Sequence, residues 1–144
     1  MKAQHYLKQI DHLETLIQNK MIEKEQWRDI ALGITAKYEG ERVQSSGSSH
    51  KMSEALDRVV DIEREIDRII DQKIDTRLEI IRTIELLKPN EYRVLHLIYI
   101  QGKSFKEVAS ICDKSHSWAT SVHGAALSNL QKILDGREQM YKVV

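Results

Sequence analysis

The chain has 144 residues with 22 basic and 22 acidic side chains, so its formal charge of zero gives no general electrostatic argument for nucleic acid. Hydrophobic residues at 41% and charged residues at 31% exclude a disordered chain. Six glycines, one proline and no sustained strand alternation indicate an all-α protein with long helices. The single cysteine, Cys112, excludes an internal disulfide and suits a reducing compartment. Since no apolar run approaches membrane-spanning length, we expect a soluble, cytoplasmic protein that does not associate with membranes.

The first predicted helix covers residues 3–31, where apolar side chains recur in steps of four and three to form one stripe. The following segment, 33–52, is rich in glycine and serine, which predicts a flexible loop or linker. An alternative is a binding loop, because Arg42 and the serine hydroxyls can contact phosphate or a partner.

A second helix is predicted from an N-cap at Ser53 to about Leu87, with apolar positions recurring from Ala55 to Ile84. Residues 1–87 are therefore interpreted as a long antiparallel, coiled-coil-like helical hairpin in which the second helix overhangs the first. The overhang at 69–87 requires either the C-terminal region or a second copy of the chain as its cover. The sequence favours a homodimer.

The titratable residues do not predict an enzyme. Asp67, Asp71 and Asp75 recur every four residues, but nearby Arg and Lys balance them, and we interpret them as a solvated face. The histidine pairs are seven residues apart, which is wider than the usual spacing of metal ligands. Nucleophile motifs and glycine-rich phosphate loops are absent from the sequence. We therefore expect no catalytic residues, no metal site and no cofactor.

A C-terminal module is predicted at residues 88–136, followed by a tail at 137–144. Pro89 is suited to begin its first helix and Gly102 to end it. Ser104, with a glutamate three residues later, predicts a capping box for a second helix. Asp113 lies at a turn that requires left-handed geometry, and Ser115 caps a third helix. Two helices joined by a tight turn, with small and apolar residues such as Ile111 expected to face inward, are typical of a helix-turn-helix.

The run YRVLHLIYIQGKSFKEVASICDKSHSWATSVHGAALSNL resembles region 4 of bacterial sigma factors. The matching positions are Gly102-Lys103-Ser104, Glu107-Val108-Ala109 and Ala126-Leu127-Ser128-Asn129-Leu130. Nearly the whole chain resembles the phage and prophage sigma-like, or ArpU-type, transcriptional regulators of Gram-positive bacteria. In that family a similar tail follows a helical region and a stretch like ERVQSSG at 41–47.

The resemblance implies a DNA-binding regulator of phage late genes that acts on double-stranded DNA, in company with RNA polymerase. Carried over by position, the base-facing candidates are Ser115, His116, Ser117, Thr120, Ser121 and Gly124. The candidate phosphate contacts are Lys103, Lys106, Lys114 and Lys132. No residue from 115 to 130 is Lys or Arg, although Arg is the usual reader of guanine and Ser and Thr contact bases ambiguously.

The sequence leaves two functions open. One is a dimeric transcription regulator whose third helix enters the major groove. The other is a protein-interaction adaptor that binds RNA polymerase or another phage protein and reads little or no DNA. Trp118 is similarly open, either packing against the first helix of the module or serving as an exposed anchor.

Overall fold

The computed structural model describes residues 1–41 and 46–143, and these residues form helices and turns without a strand. The helices are α1 (Ala3–Leu7), α2 (Gln9–Glu41), α3 (Ser46–Ile84), α4 (Pro89–Leu95), α5 (Phe105–Ile111) and α6 (His116–Val143). A π-helical segment, His96–Ile100, directly follows α4. The prediction of an all-α protein is confirmed.

The chain divides into two compact units. One unit combines Met1–Asp11 with Ile74–Val144, and the other is the continuous stretch His12–Lys73. The expected domain boundary at residue 87 does not coincide with this division, because both ends of the predicted 1–87 domain belong to the unit that contains the C-terminal module. The predicted tail also differs, since α6 continues through residue 143.

The unit His12–Lys73 is held together by an apolar cluster and by ion pairs between α2 and α3. The cluster contains buried Ile17, Ile62 and Ile66, with Trp27 and Ile69 packed against it. The ion pairs join Lys73 to Glu14, Lys20 to Glu65 at 2.9 Å and Arg28 to Glu63 at 3.7 Å. As the residue number rises in α2 it falls in α3, so the two helices run in opposite directions along these contacts.

The loop predicted at 33–52 is wrong for the residues described there, because 33–41 belong to α2 and 46–52 to α3. Ser53 accordingly lies inside α3 and does not cap it. Extending an existing helix adds one hydrogen bond per residue without a new nucleation cost, which offsets a penalty of about 1 kcal/mol per glycine. Arg42 and most of the ERVQSSG stretch lie outside the described residues.

The core of the unit formed by Met1–Asp11 and Ile74–Val144 brings both ends of the chain together. Buried side chains of α1, the start of α2, the end of α3, α4 and α6 form one cluster: Ala3, Tyr6, Leu7, Ile10, Ile80, Ile84, Leu95, Ala126, Leu130 and Leu134. The Tyr6 hydroxyl lies 2.9 Å from the Oγ1 atom of buried Thr83, which also accepts a hydrogen bond from Arg137. The helix expected over 3–31 is divided at Lys8, between α1 and α2. These contacts make the first residues of the chain part of the platform that supports α6.

Candidate nucleic-acid interface

The turn between α5 and α6 has the local geometry that its residues predict. Ser104 Oγ accepts a hydrogen bond from the Glu107 backbone N–H at 3.2 Å, and the Glu107 carboxylate accepts one from the Ser104 N–H at 3.4 Å. Gly102 (φ 72°) and Asp113 (φ 54°) both have left-handed backbone conformations. Ser115 Oγ accepts from the Trp118 N–H at 3.0 Å and so caps α6. The capping box, the left-handed aspartate and the serine cap are confirmed.

A second apolar cluster lies beneath this turn and fixes α5 against α6. Its buried members are Val94, Leu97, Val108, Ala109 and Ala119, and partly buried side chains from all the surrounding elements pack against it. Trp118 is one of these partly buried side chains, so its ring packs on the cluster. Ile111 was expected to face inward but is 46% exposed.

The base-facing candidates share the outward face of the first turns of α6. Ser117, Thr120, Ser121 and Gly124 are all exposed, and their spacing of three and four residues places them on one side of the helix. Thr120 Oγ1 donates to the Ser117 carbonyl at 3.0 Å, which occupies its proton and leaves the oxygen as an acceptor. A Cβ atom added at Gly124 would meet no heavy atom within 4 Å, so this position is open.

His116 and His123 belong to an aromatic cluster at the base of this face. The Phe105 ring meets the His123 ring edge-on at 5.0 Å and is tilted to the exposed His116 ring at 6.0 Å. His123 Nε2 and the Tyr99 hydroxyl form a 2.8 Å hydrogen bond. Burial lowers the pKa of His123 and raises that of Tyr99, which favours the neutral form of both groups. His123 therefore joins α6 to the π-helical segment and is not available as a base reader.

The four phosphate candidates differ in their surroundings. Lys106 and Lys114 are exposed, the first on α5 and the second in the turn, where its Nζ lies 6.0 Å from the centre of the Trp118 ring. Lys103 is partly buried, with Nζ 3.9 Å from the Glu107 carboxylate, which partly neutralises it. Lys132 is exposed 16 residues after His116, which corresponds to about 24 Å along α6.

Sequence reasoning missed two features beside the outward face. Lys88, exposed at the N-cap of α4, lines the same 340 Å³ cleft as Val122 and Ala125 of α6. Asn129 Nδ2 donates to both carboxylate oxygens of buried Glu91, at 3.0 and 2.9 Å. Neither pairing has a sequence signal, because the partners are more than thirty residues apart and meet only when α4 packs on α6.

Comparison with known proteins does not extend this description, since no family model, curated protein or solved structure matches the chain. Among the described residues, no group of three or more His, Cys, Asp or Glu side chains is arranged to hold a metal ion. None of the helices in the described ranges is long and apolar enough to cross a membrane.

Proposed function

We propose that this chain is a DNA-binding transcription regulator in which α5 and α6 form a helix-turn-helix and α6 enters the major groove of double-stranded DNA. The observation that carries the proposal is the exposed face of Ser117, Thr120, Ser121 and Gly124, which lies on a helix packed against a buried apolar cluster and is flanked by lysines. Such a face is narrow enough for a groove, and its hydroxyls suit hydrogen bonding to base edges.

Electrostatics supports the same placement. The first turn of α6 has backbone N–H groups without intrahelical acceptors, and this helix end favours an anion such as a phosphate. Lys106 and Lys114 are exposed and form no ion pair within the described part of the chain, so both are available for phosphates on either side of the groove.

The proposal extends to the rest of the chain. In it, α2 and α3 form a coiled-coil-like antiparallel hairpin, and residues 88–136 form the sigma region 4-like module. The resemblance of the sequence to phage and prophage sigma-like regulators adds the control of late phage genes together with RNA polymerase. A homodimer would engage two half-sites and compensate for the small number of cations per chain.

The salt dependence of duplex binding tests the proposal. Each lysine–phosphate contact contributes about −0.9 to the slope of log K against log salt concentration, so a Lys106→Ala, Lys114→Ala variant should lose about 1.8 from the slope per bound chain. Fluorescence anisotropy with a labelled duplex, titrated over a series of salt concentrations, measures this slope. A Lys24→Ala, Lys51→Ala variant makes the same charge change in the other unit and should bind like the wild type.

The protein-interaction adaptor is a second candidate, and the absence of Lys and Arg from 115–130 favours it. The exposed side chain of Ile111, next to the turn, offers an apolar contact for a protein partner. Duplex binding that is undetectable at low salt, together with retained capture of RNA polymerase, would replace the DNA-binding proposal with the adaptor.

A further inference from the structure

A groove lies between α3 and α6 near the C-terminal ends of both helices, within the unit formed by Met1–Asp11 and Ile74–Val144. Its volume is about 570 Å³, and its lining includes Asp75, Leu78, Glu79, Arg82, Arg137 and Tyr141. The groove is distinct from the face proposed to contact DNA, because it shares no residue with that face.

The apolar side chains at this groove are unusually exposed. Leu78 and Tyr141 are 47% and 85% exposed, and their neighbours Ile74 and Met140 are 53% and 73% exposed. Grouped apolar side chains of this kind on a highly charged chain indicate a surface that another protein covers. The described residues thus leave the end of α3, where the sequence predicted an overhang, incompletely covered.

The charges around Leu78 indicate which protein covers it. Asp75 and Arg82 lie seven residues apart, two turns of α3, on the same side of the helix as Leu78. Both are exposed, and neither forms an ion pair with any other residue that the structure describes. Such a helical face has a carboxylate at one end and a guanidinium at the other. When a second copy is rotated by 180° about an axis perpendicular to the helix, each carboxylate therefore lies opposite a guanidinium.

We propose that a second copy of the chain covers this groove through an antiparallel, two-fold symmetric pairing of α3 centred between Leu78 and Glu79. Asp75 lies three residues before Leu78 and Arg82 three residues after Glu79, so each Asp75 faces the Arg82 of the other copy. Leu78 of both copies forms the apolar centre, Ile74 of each copy lies beside the ion pair at either end, and Tyr141 closes the side of the groove. An isologous interface of this type contains each ion pair twice.

The second copy in this dimer would bring a second α6 to the DNA of the proposed function. The dimer interface contains none of the residues proposed to contact DNA. It can therefore be tested without DNA. A negative result would leave the proposed function standing for a monomer, and a failure of DNA binding would leave the dimer intact.

Charge exchange at Asp75 and Arg82 provides the test. Asp75→Arg alone, or Arg82→Asp alone, places like charges opposite each other at both ends of the homodimer, and we expect the dimer dissociation constant to rise at least about tenfold, because like charges facing each other are strongly unfavourable at an interface. A one-to-one mixture of the two variants restores both oppositely charged pairs, so heterodimers should form at wild-type affinity. Analytical ultracentrifugation measures the affinities, and native mass spectrometry distinguishes the heterodimer by its mass.

Matched controls separate this outcome from misfolding. Asp57→Arg and Arg64→Asp make the same changes at the same spacing on α3 but outside the groove, and they should leave dimerisation unchanged. Far-UV circular dichroism checks that all variants keep the wild-type helix content. A wild-type protein that is monomeric at all concentrations, single variants that dimerise normally, or a mixture that does not recover would each overturn the inference.

Discussion

The hydrogen bond between Asn129 and Glu91 should contribute strongly to the stability of the unit that contains α6, and loss of the donor alone should cost more than loss of both partners. Glu91 is only 7% exposed, and both its carboxylate oxygens lie within 3.0 Å of Asn129 Nδ2. Hydrogen bonds to a charged group stabilise a protein by about 1.5–3 kcal/mol, and a buried acceptor left without its donor costs its desolvation energy. We therefore expect Asn129→Leu to lower the free energy of unfolding by about 2–3 kcal/mol.

Replacing both partners should destabilise the unit less than replacing Asn129 alone. A Glu91→Met, Asn129→Leu double variant removes the unsatisfied carboxylate as well as its donor, so its unfolding free energy should be higher than that of Asn129→Leu alone. Urea unfolding measures both values, and Trp118 fluorescence in a Trp27→Phe background reports on the relevant unit. Ser128→Ala, an exposed change on the same turn, should alter stability by no more than about 0.5 kcal/mol. The reasoning would be refuted by a loss below about 0.5 kcal/mol for Asn129→Leu, or by a double variant less stable than the single one.

Two further predictions concern α6 itself. Gly124→Ala should raise the unfolding free energy by about 1 kcal/mol, because the new Cβ meets no protein atom, but weaken duplex binding if the helix backbone approaches DNA closely. Gly136→Ala is the control, since it should stabilise α6 equally and leave anisotropy titrations unchanged. Burial holds the pKa of His123 below its ordinary value of 6.5. Just below pH 6.5 the His123 imidazole is therefore protonated more readily in the unfolded chain than in the folded chain. Stability should therefore fall as the pH falls below 6.5, and His123→Gln should reduce this dependence in unfolding titrations; an unchanged dependence would contradict the role of His123. Some dependence should remain in that variant, since burial also lowers the pKa of His96.

The local features of the C-terminal module could be predicted from sequence because each depends on residues a few positions apart. The Ser104 capping box, the left-handed Asp113 and the Ser115 cap satisfy backbone groups that any helix end must satisfy. The exposed face of α6 could be predicted for the same reason, since helical spacing determines which side chains share a side.

The features that could not be predicted depend on contacts between residues far apart in the sequence, or on small differences in free energy between a helical and a loop conformation. Tyr6 reaches Thr83 across 77 positions of the chain, so no local pattern indicates that α1 supports α6. The glycine and serine residues at 33–52 predicted a loop from propensity alone, but at the described positions 33–41 and 46–52 this weak preference is overridden by the long helices that adjoin them. Ile111 appeared to be a core residue by its type, but the α5 side chains buried in the cluster are Val108 and Ala109, whereas Ile111 is exposed.

A recognition face without Lys or Arg limits how the proposed DNA binding can work. Hydroxyl groups on α6 would give weak discrimination between bases, so in the proposed complex most of the binding free energy would come from Lys106, Lys114 and helix-end amides, which would contact phosphates of any sequence. A single chain with so few cationic contacts would bind DNA weakly at physiological salt. Two copies joined through α3, as proposed above, would double the number of phosphate contacts and require two sites at a fixed spacing, which would add selectivity that neither face has alone. Dimerisation through the groove beside Leu78 would in this way provide sequence specificity that the side chains of α6 cannot provide alone.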